Sequence, residues 1–251
     1  MLVEEVHDAI CTALVAAGGS SCDDLIGDPN ATKADVFFVD AGTIVEVKSL
    51  TTDRNRTASV RQKSAEILDH SARYEGGAVF FGDVTIELGD LPKKTADKLL
   101  MNLGARVAKE IRKANQQIKC TARTLGVRPK GLLIFGVPGH FDTHAGVVVT
   151  TASRVLGLDK HRAIEGIMVI GVPIEGRDTN RPLTLSYHSR SFDSIPQGLI
   201  DRIAKSWVRH LETSDGKPVS VEYGAEQEFM AMMIVDDSDH VPPSNRNQKA
   251  I

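Results

Sequence analysis

The stretch that decides the fold of this chain is Ala34-Asp35-Val36-Phe37-Phe38-Val39-Asp40-Ala41-Gly42-Thr43-Ile44-Val45-Glu46-Val47-Lys48. Two runs rich in β-branched and aromatic residues flank a short segment, Asp40-Ala41-Gly42. Such runs favour extended strands, and a short glycine-containing segment between them is typical of a tight turn. The stretch therefore predicts a β-hairpin.

Three charged residues stand within this apolar hairpin. Pairing the strands about Ala41-Gly42 places Phe37 opposite Glu46 and Asp35 opposite Lys48. Glu46 and Lys48 are two residues apart and share one face of the sheet. In this register Asp35 lies on that face, within roughly 5–8 Å of both. A loop changed by one residue would move Asp35 to the other face.

Charges on a half-buried strand are costly unless they are paired or bind a metal. Asp35 and Glu46 supply the oxygen ligands that Mg²⁺ prefers. Lys48 could orient an attacking water, while the metal polarises a phosphoryl oxygen. The alternative is a surface-facing hairpin whose Glu46–Lys48 and Asp35–Lys48 contacts are ordinary cross-strand ion pairs.

Hydrophobic periodicity outlines the other elements. It predicts helices at 2–17, 60–74, 94–125 and 197–211 and buried strands at 132–137 and 167–172, with further strands at 78–86, 146–150, 182–187 and 219–223. Polar residues at 19–33 indicate a loop. This order of elements predicts an α/β fold with a small mixed sheet flanked by helices.

Asp35, followed by Glu46-Val47-Lys48, resembles the motif of the PD-(D/E)XK nuclease superfamily, which contains restriction-type, repair and Holliday-junction-resolving enzymes. The order of helix, hairpin, second helix and strand is similar. Ala34 replaces a common proline, and an insertion separates the hairpin from the long helix. The resemblance covers residues 1–137 and implies a restriction-endonuclease-like core, which leaves 138–235 as a C-terminal elaboration of a single α/β domain.

The resemblance also implies a function. It implies phosphodiester hydrolysis in nucleic acid, with DNA favoured over RNA and an endonuclease over an exonuclease. Asp35 and Glu46 would bind Mg²⁺ or Mn²⁺, and Lys48 would position the nucleophilic water. A glutamate on the first helix often joins the metal site in this superfamily, and of Glu4 and Glu5 we favour Glu5. Many such nucleases dimerise, so a homodimer is compatible with the resemblance.

Residues that would contact the substrate are also implied. In the superfamily a glutamine or a basic residue on the second helix often supports the site or touches phosphate. Gln116, Gln117 and Lys119 match this description, and Gln62 is the rival if the helix at 60–74 takes that role. Arg54, just after the motif strand, is placed for a contact with the nucleic-acid backbone.

Composition sets outer limits. The 251 residues carry a net charge of −3, from 30 basic and 33 acidic residues, which argues mildly against a nucleic-acid-binding protein. Three cysteines without a CxxC pair indicate neither a disulfide framework nor a cysteine zinc site. No apolar run is long enough for a membrane span, and no secretory signal is recognisable, so a cytoplasmic location is expected. Residues 236–251 are too polar to pack and are expected to be disordered.

Two further functions remain open. The segment Gly139-His140-Phe141-Asp142-Thr143-His144 places two histidines and an aspartate at alternate positions, a pattern compatible with a metallohydrolase that uses His140 and His144. Alternatively, the chain is a catalytically silent nucleic-acid-binding or regulatory protein on the nuclease fold. A silent protein would have no reason to retain a Mg²⁺ or Mn²⁺ site.

Overall fold

The computed structural model describes residues 1–51, 57–74, 88–138, 145–157, 160–172, 185–191 and 194–215. These residues belong to one compact unit, Met1–Val219. Several predicted features lie outside the described residues, namely the strands at 78–86 and 219–223, the tail 236–251, Arg54, His140 and His144.

The described residues form seven α-helices and six strands. The helices are α1 (Val6–Ala16), α2 (Cys22–Ile26), α3 (Ala58–Tyr74), α4 (Lys93–Leu103), α5 (Ala105–Leu125), α6 (Ala145–Gly157) and α7 (Gln197–Asp215). The strands are β1 (Ser20–Ser21), β2 (Val36–Phe38), β3 (Thr43–Ser49), β4 (Gly131–Pro138), β5 (Ile164–Val172) and β6 (Leu185–Ser189). Short 3-10 turns cover Val3–Glu5 and Leu88–Asp90.

The six strands form one open mixed sheet in the order β1-β2-β3-β4-β5-β6. Strands β3, β4 and β5 are parallel, while β1, β2 and β6 pair antiparallel to their neighbours. The chain is therefore α/β, as the sequence predicts.

Helices cover both faces of this sheet. Because successive side chains of a strand point to opposite faces, β3 contributes to both layers. Val45 and Val47 pack with residues of α1 and α7, including Trp207, and Ile44 packs with residues of α5 and α6. The strand that carries the motif is thus buried between two layers of helices.

The predicted strand at 146–150 is wrong, because these residues lie in α6. The run of valines and threonines suggested a strand, since β-branched side chains favour extended backbone. Val148, Ala152 and Leu156, however, are buried at a spacing of four, which is the period of a helix packed on a core.

The long helix predicted at 94–125 is two helices, because α4 ends at Leu103 and α5 begins at Ala105. Gly104 lies at the break. A Cβ at this position would lie 2.2 Å from Thr151 Oγ1 of α6, so the close approach of the helices requires glycine. The predicted loop at 19–33 also contains structure, namely β1 and α2.

Within the described ranges, no helix is both long enough and apolar enough to cross a membrane.

Candidate active site

The hairpin of β2 and β3 is confirmed, but its register differs from the predicted one. Val36 lies opposite Val45, and the loop is Val39–Gly42 rather than Ala41-Gly42 alone. The shift is two residues, and a two-residue shift keeps every side chain on its face. Asp35 donates its N–H to Val45 O at 3.2 Å, so it lies level with Glu46 rather than Lys48. The two carboxylates are therefore neighbours.

Asp35 is held where β3 extends beyond its partner strand. The last pair between β2 and β3 is Val36 with Val45. Beyond Val45, the backbone N–H groups of β3 that face β2 therefore have no partner in that strand. The Asp35 Oδ2 atom fills this gap, because it accepts the N–H of Val47 at 2.7 Å. The Asp35 carbonyl also accepts the N–H of Cys22 at 2.9 Å. Backbone bonds thus fix both the main chain and one carboxylate oxygen of Asp35.

Glu46 is a buried carboxyl group with only 1% of its side chain exposed. Its Oε1 atom pairs with Lys48 Nζ, and among the described residues its buried Oε2 atom has no hydrogen-bond partner. Burial and, next, the charge of Asp35 raise the pKa of Glu46 from 4.5 to about 8, against the opposing effect of Lys48. A solvent-facing hairpin with ordinary surface ion pairs does not describe this residue.

Lys48 joins the hairpin to α5. Its Nζ atom donates to Gln117 Oε1 at 2.9 Å as well as to Glu46, and 18% of its side chain is exposed. The Asp35–Lys48 ion pair that belongs to the alternative interpretation is absent among the contacts of the described residues, because the register places Asp35 opposite Glu46. The ammonium is held between a carboxylate and an amide oxygen.

Helix α5 also fixes the loop that leads into Asp35. Gln117 Nε2 donates to Lys33 O at 3.1 Å, and Thr121 Oγ1 accepts the N–H of Ala34 at 2.7 Å. Gln117 and Thr121 are four residues apart and so lie on one side of the helix. One face of α5 therefore orients both Lys48 and the segment before Asp35.

His7 of α1 is a site residue that the sequence analysis missed. Its Nε2 atom lies 3.3 Å from Asp35 Oδ1, and its Nδ1 atom lies 3.2 Å from Asp8 Oδ1. The hydrogen bond to Asp35, followed by that to Cys11, raises the pKa of the His7 imidazole well above its usual 6.5. The resemblance points only to glutamates of the first helix, whereas the signal in the sequence is the spacing of four residues between His7 and Cys11, which places them on one face of that helix.

Among the described residues, no hydrogen bond or ion pair joins Glu5, Gln62, Gln116 or Lys119 to this cluster. Glu5 is exposed, and its Oε2 atom accepts the N–H of Leu2 at 2.8 Å, so it caps the first turn. Gln116 and Lys119 are exposed on α5, where Gln116 Nε2 contacts Cys120 Sγ at 3.4 Å. Gln62 is exposed on α3 and donates to Glu66 at 3.2 Å.

The site therefore consists of Asp35, Glu46, Lys48 and Gln117 on one side and His7 on the other. Comparison of the chain with protein-family models, with curated proteins and with solved structures yields no match.

Proposed function

We propose that the chain is a divalent-metal-dependent nuclease that hydrolyses phosphodiester bonds, with DNA as the favoured substrate. The observation that carries this proposal is the buried Glu46 Oε2 atom, which has no partner among the described residues and neighbours the carboxylate of Asp35. A buried polar atom without a partner is costly, and a bound ion, a bound water or a catalytic role is among the reasons for which native proteins retain one.

The residues fit Mg²⁺ or Mn²⁺. Asp35 and Glu46 offer carboxylate oxygens, the ligand class that both ions prefer, and the partial exposure of Asp35 leaves room for water. Repulsion from the Asp35 carboxylate helps to keep Glu46 protonated. A cation bound between the two groups would offset that repulsion. When bound there, the ion would polarise a phosphoryl oxygen and stabilise the leaving group.

The chain's own residues supply the rest of the mechanism. Glu46 Oε1 and Gln117 Oε1 hold the Lys48 ammonium by two acceptors, which leaves its remaining donor capacity for a water or a phosphate oxygen. Lys48 would thus orient the nucleophilic water and offset negative charge on the phosphate. Gln117 acts as a positioning residue, since it touches Lys48 and the loop before Asp35.

A restriction-endonuclease-like core is part of the same proposal. Helix α1, the β2–β3 hairpin, α5 and β4 follow one another in the order expected for that fold, and β3 and β4 are parallel.

The test is cleavage of plasmid and single-stranded DNA by the full chain with Mg²⁺, Mn²⁺ or EDTA. Lys48→Ala is compared with the wild type and with Lys205→Ala, a control that removes an exposed lysine of α7 on the opposite layer. We expect metal-dependent cutting by the wild type and the control, and a loss of at least about 100-fold in Lys48→Ala.

Asp35 requires a conservative variant. Asp35→Ala would leave the Val47 N–H without its acceptor, whereas Asp35→Asn keeps an oxygen for that bond and removes the charge. Cutting by Asp35→Asn at the wild-type rate would refute the proposal. No cutting by the wild type, together with no bound metal, would support the catalytically silent binding protein instead.

A further inference from the structure

We propose that His7, Cys11 and Asp35 form a second metal site, suited to Zn²⁺ or Co²⁺ and distinct from the oxygen pair that Glu46 belongs to. Each residue offers one ligand atom, namely a ring nitrogen of His7, Sγ of Cys11 and a carboxylate oxygen of Asp35. These three atoms lie within 4.8 Å of one another, so one ion could contact all of them. The site shares Asp35 with the proposed nuclease centre, but its geometry and its test are independent of nuclease activity.

Helix α1 supplies two of the ligands. His7 and Cys11 are four residues apart, so they stand one above the other on the same side of the helix. Cys11 Sγ lies 3.9 Å from Nδ1 and 4.0 Å from Nε2 of His7, and both side chains are partly buried. This side of the helix faces Asp35, whose Oδ1 atom lies 3.3 Å from His7 Nε2.

Two of the three separations between ligand atoms, Nε2–Oδ1 and Sγ–Nε2, are close to those of a tetrahedral site. Zinc–nitrogen, zinc–oxygen and zinc–sulfur bond lengths at tetrahedral angles require about 3.3 Å between nitrogen and oxygen and about 3.6 Å between nitrogen and sulfur. The Nε2–Oδ1 separation of 3.3 Å already meets this requirement. The Sγ–Nε2 separation of 4.0 Å needs only a small side-chain movement.

The ligands are also oriented in advance. The N–H of Val47 occupies Asp35 Oδ2, which directs Oδ1 towards α1. Asp8 Oδ1 lies 3.2 Å from His7 Nδ1, so it can accept the proton of that nitrogen and leave Nε2 free to bind a metal. A carboxylate in this role is the usual partner of a metal-binding histidine.

The mixed donor set selects the class of metal. A thiolate and an imidazole favour Zn²⁺, Co²⁺ and similar ions, whereas Mg²⁺ prefers oxygen ligands. Three protein ligands also leave a fourth tetrahedral position for water. Asp35 therefore lies between two kinds of site, with the Glu46 carboxyl group on one side and the nitrogen and sulfur ligands of α1 on the other.

The first experiment titrates the reduced, metal-free full chain with Co²⁺ and records absorption in the near ultraviolet. We expect a sulfur-to-cobalt charge-transfer band that saturates at one equivalent and that Zn²⁺ abolishes. The band should be lost in Cys11→Ser and retained in Cys120→Ser, the matched control that removes another partly buried thiol. Absence of the band in the wild type would overturn the proposal in favour of a metal-free His7–Asp35 ion pair. Persistence of the band in Cys11→Ser would overturn it by assigning the cobalt to another thiol.

A second experiment needs no variant that might misfold. Alkylation of Cys11 and Cys120 in the wild type is followed by mass spectrometry with and without Zn²⁺. Because a metal-bound thiolate is shielded, Zn²⁺ should slow alkylation of Cys11 at least about tenfold and leave Cys120 unaffected. Equal rates at Cys11 with and without Zn²⁺ would contradict the site.

Failure of this proposal is separable from failure of the nuclease proposal. Glu46→Gln removes a carboxylate of the nuclease centre but none of the three ligands on the α1 side. It should therefore retain the cobalt–sulfur band even though it loses DNA cleavage. Loss of the band in folded Glu46→Gln would show that there is one joint site and would overturn the division into two.

Discussion

Replacing Glu46 with glutamine should stabilise the metal-free protein in a pH-dependent manner. In the unfolded chain Glu46 ionises near 4.5, whereas in the folded chain it holds its proton until about pH 8. Between these values the folded state binds more protons, so Glu46 makes the free energy of unfolding fall as pH rises. Glutamine has nearly the same shape as glutamate and does not titrate. The free energy of unfolding of the variant therefore does not fall with pH on account of residue 46.

The size of the effect follows from the shift in pKa. At about 1.4 kcal/mol per pKa unit, ionisation of Glu46 in the unfolded state disfavours folding by about 3 kcal/mol at pH 7 and by under about 1 kcal/mol at pH 5. Other titrating groups are common to both proteins and largely cancel in the comparison. Glu46→Gln should therefore exceed the wild type in stability by about 2 kcal/mol more at pH 7 than at pH 5.

The assay is urea unfolding in EDTA at pH 5, 6, 7 and 8. The control is Glu212→Gln, which neutralises an exposed glutamate of α7 and should stay within about 0.5 kcal/mol of the wild type throughout. A Glu46→Gln protein that is less stable than the wild type at pH 7, or a difference that does not vary with pH, would refute the reasoning. Either result would mean that the ion pair with Lys48 outweighs the cost of burying the carboxylate.

Three further predictions concern α5 and its neighbours. Thr121→Val should lower the free energy of unfolding by about 1–3 kcal/mol in urea titrations, because it removes the acceptor of a buried loop amide. Gly104→Val should cost about 1–3 kcal/mol in the same assay, since its side chain would overlap α6. Gln117→Leu should lower the DNA cleavage rate about tenfold, because Lys48 loses one of its two acceptors, whereas Gln116→Leu, on the exposed side, should cut at the wild-type rate. Equal rates for the two glutamine variants would remove Gln117 from the site.

The hairpin could be predicted from the sequence because its residues carry both a strand signal and a turn signal. The length of the loop could not, since Asp40, Ala41 and Gly42 suit turns of several lengths. The prediction nevertheless placed Asp35 beside Glu46 and Lys48, because the error in register was an even number of residues. An odd error would have separated Asp35 from Glu46 and Lys48.

Other features depend on contacts that are distant in sequence. The valine-rich segment of α6 is helical because its buried positions repeat with a helical period on the core, and local propensity alone favours a strand. His7 belongs to the site because α1 packs across the sheet next to Asp35. Gln117 was one of several polar residues of α5, and only the packing of α5 on β3 distinguishes it from Gln116.

The parallel pairing of β3 and β4 also determines when the site can form during synthesis. Ile44 pairs with Gly131, so α3, α4 and α5 all lie between the two partners. Contacts between such distant segments form slowly, since a long loop must close first. When the ribosome has just synthesised the Asp35–Lys48 segment, the site cannot yet form. Helix α5, which contacts Lys48, and strand β4, which pairs with β3 at Glu46, are still to be synthesised. A growing chain thus acquires the complete cluster of Asp35, Glu46, Lys48 and Gln117 only after β4 has been synthesised.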